Sequence, residues 1–134
     1  MVLVDTTIWS LGLRRDDARL NDAERKRKQA LYELISYHKA QMIGPIRQEI
    51  LSGIRHTEQF ARIRRQLGAF TDERLQSGDY ELAAEYANLA MDKGIAGSNV
   101  DFLICAVAAS RSWKVFTEDA DFRHYSSFLP IELF

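Results

Sequence analysis

The chain has 134 residues, 46% of them hydrophobic, which is the size of one domain (1–134) with one core. Its single cysteine, Cys105, excludes an intrachain disulfide and fits a reducing, cytoplasmic setting; no apolar run approaches the length of a membrane span. Net charge is −1, but residues 1–65 carry a balance of +5 and residues 66–134 one of −6, an asymmetry that suits a protein gripping phosphates on one side and cations on another.

Val2-Leu3-Val4 is a short apolar β-branched run, expected as a buried strand ending at Asp5. Thr6 to Leu13 reads as a short helix, and the polar stretch from Arg14 to Asn21 as a loop. Asn21 or Asp22 can cap a helix running to about His38, with Ala30, Leu31, Leu34 and Ile35 as its apolar stripe. Gln41 to Gly44 is expected as a second strand. Pro45 then fits the first turn of a helix, where its missing N–H costs nothing, and that helix is expected to end between Gly53 and His56.

Thr57 to about Gly68 places Phe60, Ile63 and Leu67 at helical spacing. Ala69-Phe70-Thr71 is expected to be extended, and a helix opens near Asp79 and runs through Met91. After Gly94 and Gly97, Ser98 begins a helix whose Val100–Ala109 stretch is apolar on nearly every face, as burial between layers requires. Lys114-Val115-Phe116 is the third strand. A short helix from Asp121 to Tyr125 and a strand from Ile131 to Leu133 finish the chain. Strands alternating with helices imply an α/β fold with a parallel sheet and helices on both faces, in which ligands sit at the carboxyl ends of the strands.

That rule selects the acids. Asp5 follows the first strand and Asp119 the third; Glu49 lies about one turn into the helix after the second strand, and Asp101 sits in the first turn of the buried helix. Clustered carboxylates repel unless a cation compensates them. Oxygen-only donors suit Mg²⁺ or Mn²⁺ rather than zinc, and such an ion activates water and neutralises charge at phosphorus. Each acid also has a structural role open to it: Asp5 as a helix cap, Asp101 as the reciprocal partner of Ser98 in a capping box, Glu49 as a paired helix acid, Asp119 as a turn residue. Their joint position at one sheet edge is the stronger signal.

Four short motifs carry a family resemblance. They are Asp5-Thr6-Thr7-Ile8-Trp9; Ile46-Arg47-Gln48-Glu49-Ile50-Leu51; Ser98-Asn99-Val100-Asp101 through Ala106; and Thr117-Glu118-Asp119-Ala120-Asp121-Phe122. In this order they resemble the motifs of PIN domains, and the opening and ending resemble the VapC branch of toxin–antitoxin toxins.

The resemblance implies a PIN-like three-layer α/β/α fold with a short, mostly parallel sheet of four to five strands. It implies a Mg²⁺- or Mn²⁺-dependent endoribonuclease acting on RNA, a homodimer, and a VapB-like antitoxin through which alone operator DNA is met. Carried over by position, Asp5, Glu49, Asp101 and Asp119 are the catalytic acids. Asp5, Asp101 and Asp119 hold metal, Glu49 and Asp121 assist, and Thr6 and Thr117 orient them.

Arg14, Arg15, Arg25 and Lys28 are candidate RNA contacts, with Arg55, Arg62 and Arg65 as another basic group; each also reads as a solvated helix face. Cys105, Trp9 and Phe122 read as core. Two other functions compete. A phosphoryl-accepting receiver domain needs five regular strand–helix units and a lysine after a late strand, whereas Lys114 precedes its strand here. A non-catalytic partner in an antitoxin–DNA complex would leave the acids vestigial.

Overall fold

The computed structural model describes residues 1–134. Four short strands, β1 (Val2–Val4), β2 (Ala40–Gln41), β3 (Lys114–Phe116) and β4 (Glu132–Leu133), form one sheet in the order β2-β1-β3-β4, with every pairing parallel. Seven helices surround it: α1 (Thr6–Leu13), α2 (Asp22–Ser36), α3 (Gly44–Leu51), α4 (Thr57–Leu67), α5 (Ser77–Asp92), α6 (Asn99–Arg111) and α7 (Asp121–Ser126). Consecutive residues of a strand face opposite sides, and all three residues of β1 are buried. Both faces of the sheet centre are therefore covered, the arrangement that parallel sheets require. This is the expected three-layer α/β/α architecture, with four strands.

The core is one cluster running from β1 to Leu129. Trp9 is fully buried, donates its indole N–H to Val4 O at 3.0 Å, and meets Phe70 edge-on. Phe122 and Cys105 are also fully buried, as core residues. α6 packs on β1 and β3, and α5 lies along α6. Every residue from Phe102 to Ala108 is buried, which accounts for its near-continuous apolar sequence.

Local chemistry sets most boundaries. Asn21 caps α2 in a closed capping box, its side chain accepting from Glu24 N while Glu24 accepts from Asn21 N. The loop before it holds one 3₁₀ turn at Asp17–Arg19.

Three expectations need correction. The second strand is Ala40–Gln41, shorter and earlier than expected, because Gly44 and Pro45 already belong to α3. α3 ends at Leu51, before the expected Gly53: Ser52 turns extended with its hydroxyl on Gln48 O, and Gly53 takes a left-handed φ of 85°.

Ala69 and Phe70 form a turn rather than an extended segment, and the parallel bridge to Met42 is made by Asp72. Arg47 enforces that turn by donating to Leu67 O, Phe70 O and the Asp72 carboxylate, so the cation of the second motif is structural. As expected, a helix opens near Asp79: α5 begins at Ser77, and Asp79 is its N3 residue, closing a box on Gln76 N at 2.9 Å.

Candidate active site

Strand order leaves β1 to reach β2 on one side and to reach β3 and β4 on the other, so the chain changes direction across the sheet at β1 and β3. In open parallel sheets the crevice beyond the strands' carboxyl ends at such a point is the ligand site. Asp5 follows β1 there, and Thr117, Glu118 and Asp119 follow β3.

Asp5 is the most enclosed acid, 5% exposed. It occupies the N-cap position of α1 yet makes no side-chain capping bond, so helix capping does not explain its carboxylate. Its Oδ2 instead accepts from Thr117 Oγ1 at 2.8 Å and Thr7 Oγ1 at 3.0 Å. Its Oδ1 accepts nothing, and no fully buried side-chain polar atom in the protein lacks a partner, so Oδ1 keeps contact with solvent. The same two hydroxyls tie down the β3 loop, for Thr7 Oγ1 accepts from Glu118 N and Thr117 Oγ1 from Asp119 N.

Asp119 Oδ1 accepts from Asp121 N at 2.9 Å, starting α7. Asp101 lies in the first turn of α6, where Ser98 Oγ accepts from Asp101 N at 3.1 Å. The expected capping box is therefore half formed. Rather than closing it, the Asp101 carboxylate accepts from Tyr125 Oη at 3.0 Å. Burial pushes the Asp101 carboxyl above the ordinary carboxylate range, and the Asp119 charge adds to that rise. Burial likewise raises the Tyr125 hydroxyl, helped by the charges of Asp101, Asp121 and Asp119. Cys105, one turn below Asp101, is raised first by burial and then by Asp101 and Asp5, and so stays a thiol.

Asp5, Asp101 and Asp119 therefore share one electrostatic neighbourhood. Glu49 joins through Thr6, whose Oγ1 donates to Glu49 Oε2 at 2.8 Å. Thr6 thus serves Glu49, and Thr7, which the sequence reading passed over, serves Asp5. Tyr125 was also missed. Its signal was faint: a polar tip three residues after buried Phe122 on a short helix.

None of Asp5, Glu49, Asp101, Asp119 or Asp121 pairs with a lysine or arginine, although eight ion pairs form elsewhere. Of the basic candidates, Arg15 pairs with Glu24, Arg25 with Asp22 and Lys28 with Asp17, which leaves Arg14 unpaired. It is Arg27, by its Glu118 contact at 3.5 Å, that reaches the acidic loop.

Hard oxygen donors without counter-charge fit a divalent cation. No three His, Cys, Asp or Glu side chains are grouped closely enough to hold an ion by themselves. A Mg²⁺ site needs no such cage, since the ion keeps most of its waters and takes one or two carboxylates plus substrate phosphates.

A family model described as the PIN domain matches residues 2–127. The chain is a PIN domain. Its fold is similar to that of FitAcB from Neisseria gonorrhoeae (TM-score 0.76, 17% identity, covering 100% of this chain and 96% of that one). It is also similar to VapBC2 from Rickettsia felis, solved bound to a DNA fragment from their promoter (TM-score 0.71, 14% identity, 100% and 98% covered). VapBC-5 from Mycobacterium tuberculosis, of the VapBC family of toxin–antitoxin systems, is similar again (TM-score 0.66, 17% identity, 98% and 95% covered). No curated protein matches this PIN domain by sequence.

Proposed function

We propose that this PIN domain is a Mg²⁺- or Mn²⁺-dependent endoribonuclease and the toxin of a toxin–antitoxin pair. The carrying observation is the set of acids at the β1/β3 edge, desolvated in part and met by hydroxyls but by no cation. Asp5, Asp101 and Asp119 would surround the ion, one or two of them binding it directly and the rest through its waters, with Glu49 and Asp121 assisting. The ion, when bound, supplies an activated water and neutralises charge developing on a phosphodiester.

The chain's own groups do the positioning. Thr7 and Thr117 occupy one oxygen of Asp5 and leave the other free. Tyr125 fixes the Asp101 carboxylate by donating to one oxygen, and Thr6 holds Glu49 toward the same crevice. Fixed donors reduce the reorganisation needed when metal and substrate arrive.

The partner reading rests on the neighbours in fold, which include toxin–antitoxin proteins. A VapB-like antitoxin would block the crevice and carry any contact with operator DNA. A homodimer draws support from an apolar groove between α5 and α6, lined by Pro45, Ala83, Ala87, Val100 and Leu103, with exposed Tyr80 at its edge. Sedimentation as a monomer at micromolar concentration would remove the dimer from this reading.

The deciding experiment uses purified protein free of any partner and a mixed-sequence RNA. Cleavage with Mg²⁺ or Mn²⁺, stopping in EDTA and leaving 5′-phosphate and 3′-hydroxyl ends, is expected; Asp5→Asn should abolish it. Cleavage that persists in EDTA, or 2′,3′-cyclic ends, would sink the metal reading. Absence of cleavage with every divalent ion would favour the non-catalytic role in an antitoxin–DNA complex.

A further inference from the structure

Seven of the protein's cationic side chains are held in ion pairs: Arg15, Arg25, Arg27, Lys28, Arg47, Arg111 and Lys114. Of the eleven cations outside these pairs, out of 18 in all, four cluster at α4 and the loop before it. Arg55, Arg62, Arg64 and Arg65 fall within eleven residues, all exposed and none paired. Between Leu51 and Thr71 the only acid is Glu58. Glu58 sits one turn from Arg62, the spacing that allows a helical ion pair, yet makes none.

Arg62 and Arg65, three residues apart and therefore on one face, line an open depression with His56, Glu58, Gln59 and Ala61. Only one of these six residues is apolar, so the surface is unsuited to packing another protein's core-like face. The opposite side of α4 holds the helix down, with Ile63 and Leu67 fully buried. Like charges kept together on a rigid helix, with Glu58 the only carboxylate beside them, favour an anionic ligand with repeated charges.

We propose that this face of α4 is an accessory phosphate-backbone site for single-stranded RNA, holding the strand beside the acidic crevice. The assignment rests on the ribonuclease reading given above. The connection is geometric: α4 packs on α3, and α3 carries Glu49. Six residues separate Glu49 from Arg55, which even fully extended span at most about 21 Å. Arg65 lies at most about 20 Å beyond Arg55, so a strand reaches from crevice to patch with at most about twelve nucleotides at the ~3.4 Å axial spacing of stacked bases. Guanidinium forks suit phosphate oxygens and read no base, so the site contributes affinity and register rather than sequence choice.

The test measures binding apart from cleavage. A labelled 12-nucleotide RNA is titrated in EDTA by fluorescence anisotropy across a salt series. Variants are the double change Arg62→Gln with Arg65→Gln, and an equal charge change at two other exposed lysines, Lys39→Gln with Lys93→Gln. The α4 variant should bind about tenfold more weakly, and its slope of log affinity against log salt should fall by about 1.4, near 0.7 for each lost phosphate contact on a single strand. The lysine variant should bind like the parent, and both variants should keep the parent's melting temperature.

Equal losses in the two variants would reduce the effect to net charge and overturn the site. So would unchanged binding in the α4 variant, or an acidic peptide captured by the patch in place of RNA. If the α4 variant binds as the parent does while the parent still cleaves with Mn²⁺, the accessory site alone fails. A parent that neither binds nor cleaves RNA removes both.

Discussion

The two ends of α6 hold acids in opposite circumstances. At its C-terminal end Arg111 donates to both oxygens of Asp79, at 2.8 and 3.0 Å, and also approaches Glu73. Ser110 adds a further donor, and the Asp79 carboxyl is held below the ordinary range chiefly by Arg111. At the N-terminal end Asp101 has a tyrosine hydroxyl but no cation, and burial drives its carboxyl the other way. Thirteen residues of helix thus separate an acid that serves the fold from one whose charge the fold leaves uncompensated. Burial alone does not separate these roles; the company of a cation does.

Substitution should break the comparison at each end differently. Asp79→Ala strips Arg111 of its main partner and opens the box at Gln76, and should lower stability by about 3 kcal/mol in urea unfolding. A loss below about 1 kcal/mol would mean that solvent already screens the pair. At the other end, Asp101→Asn should leave unfolding stability equal or raised while reducing Mn²⁺-supported RNA cleavage by about 100-fold or more. If that variant unfolds as easily as the Asp79 one, the acid is structural after all.

Tyr125→Phe is a finer probe, because it keeps the ring against Phe102 and Phe122 and removes only the hydroxyl. Cleavage should drop about tenfold and stability by about 1 kcal/mol. A stability loss with full activity would make the tyrosine bond a packing feature only.

Acidity gives the smallest and most discriminating contrast. The Asp79 carboxyl is lowered in the folded state, so its stabilisation is complete above the unfolded value near 3.9 and lost as pH falls below it. The gap between parent and Asp79→Asn should therefore shrink below about pH 4. The Asp101 carboxyl is raised, so its ionised form costs stability, a cost that grows as pH climbs through and above the same value. Any advantage of Asp101→Asn should accordingly appear above about pH 4 and vanish beneath it. Parallel pH curves for the two variants would dissolve the distinction.

A neighbouring device is purely steric. A Cβ built on Gly97 would lie 2.5 Å from Tyr125 Oη and 2.7 Å from Phe102 Cζ, so glycine is what lets the loop before α6 approach the hydroxyl that holds Asp101.

Strands and helices were legible because their signals are local. Val2-Leu3-Val4, the Asn21 cap, Pro45 and the apolar run of α6 each state a backbone preference or a burial pattern within a few residues. The second strand shifted for a local reason, the helix start at Gly44 and Pro45, but the misplaced segment 69–71 has a cause that is not local. Arg47 reaches across to Leu67, Phe70 and Asp72 and fixes a turn where propensity suggested extension.

The positions of Asp5 and Asp119 were legible because a parallel sheet presents the residues after its strands at one edge. Glu49 and Asp101 sit on helices and were singled out with the help of the motif resemblance. The sorting of the four acids was not legible. Sequence alone determined that Asp5 and Asp119 directly follow strands and that Glu49 and Asp101 lie within the first turns of helices. Only tertiary structure decided that Thr7 and Tyr125 hold the acids, that Asp79 belongs to Arg111, and that Arg15, Arg25 and Lys28 are occupied while the arginines of α4 are free. Hydrogen bonds and ion pairs act over about 3–4 Å. Residues 24 to 112 apart in the chain come within that range only when the whole core has closed.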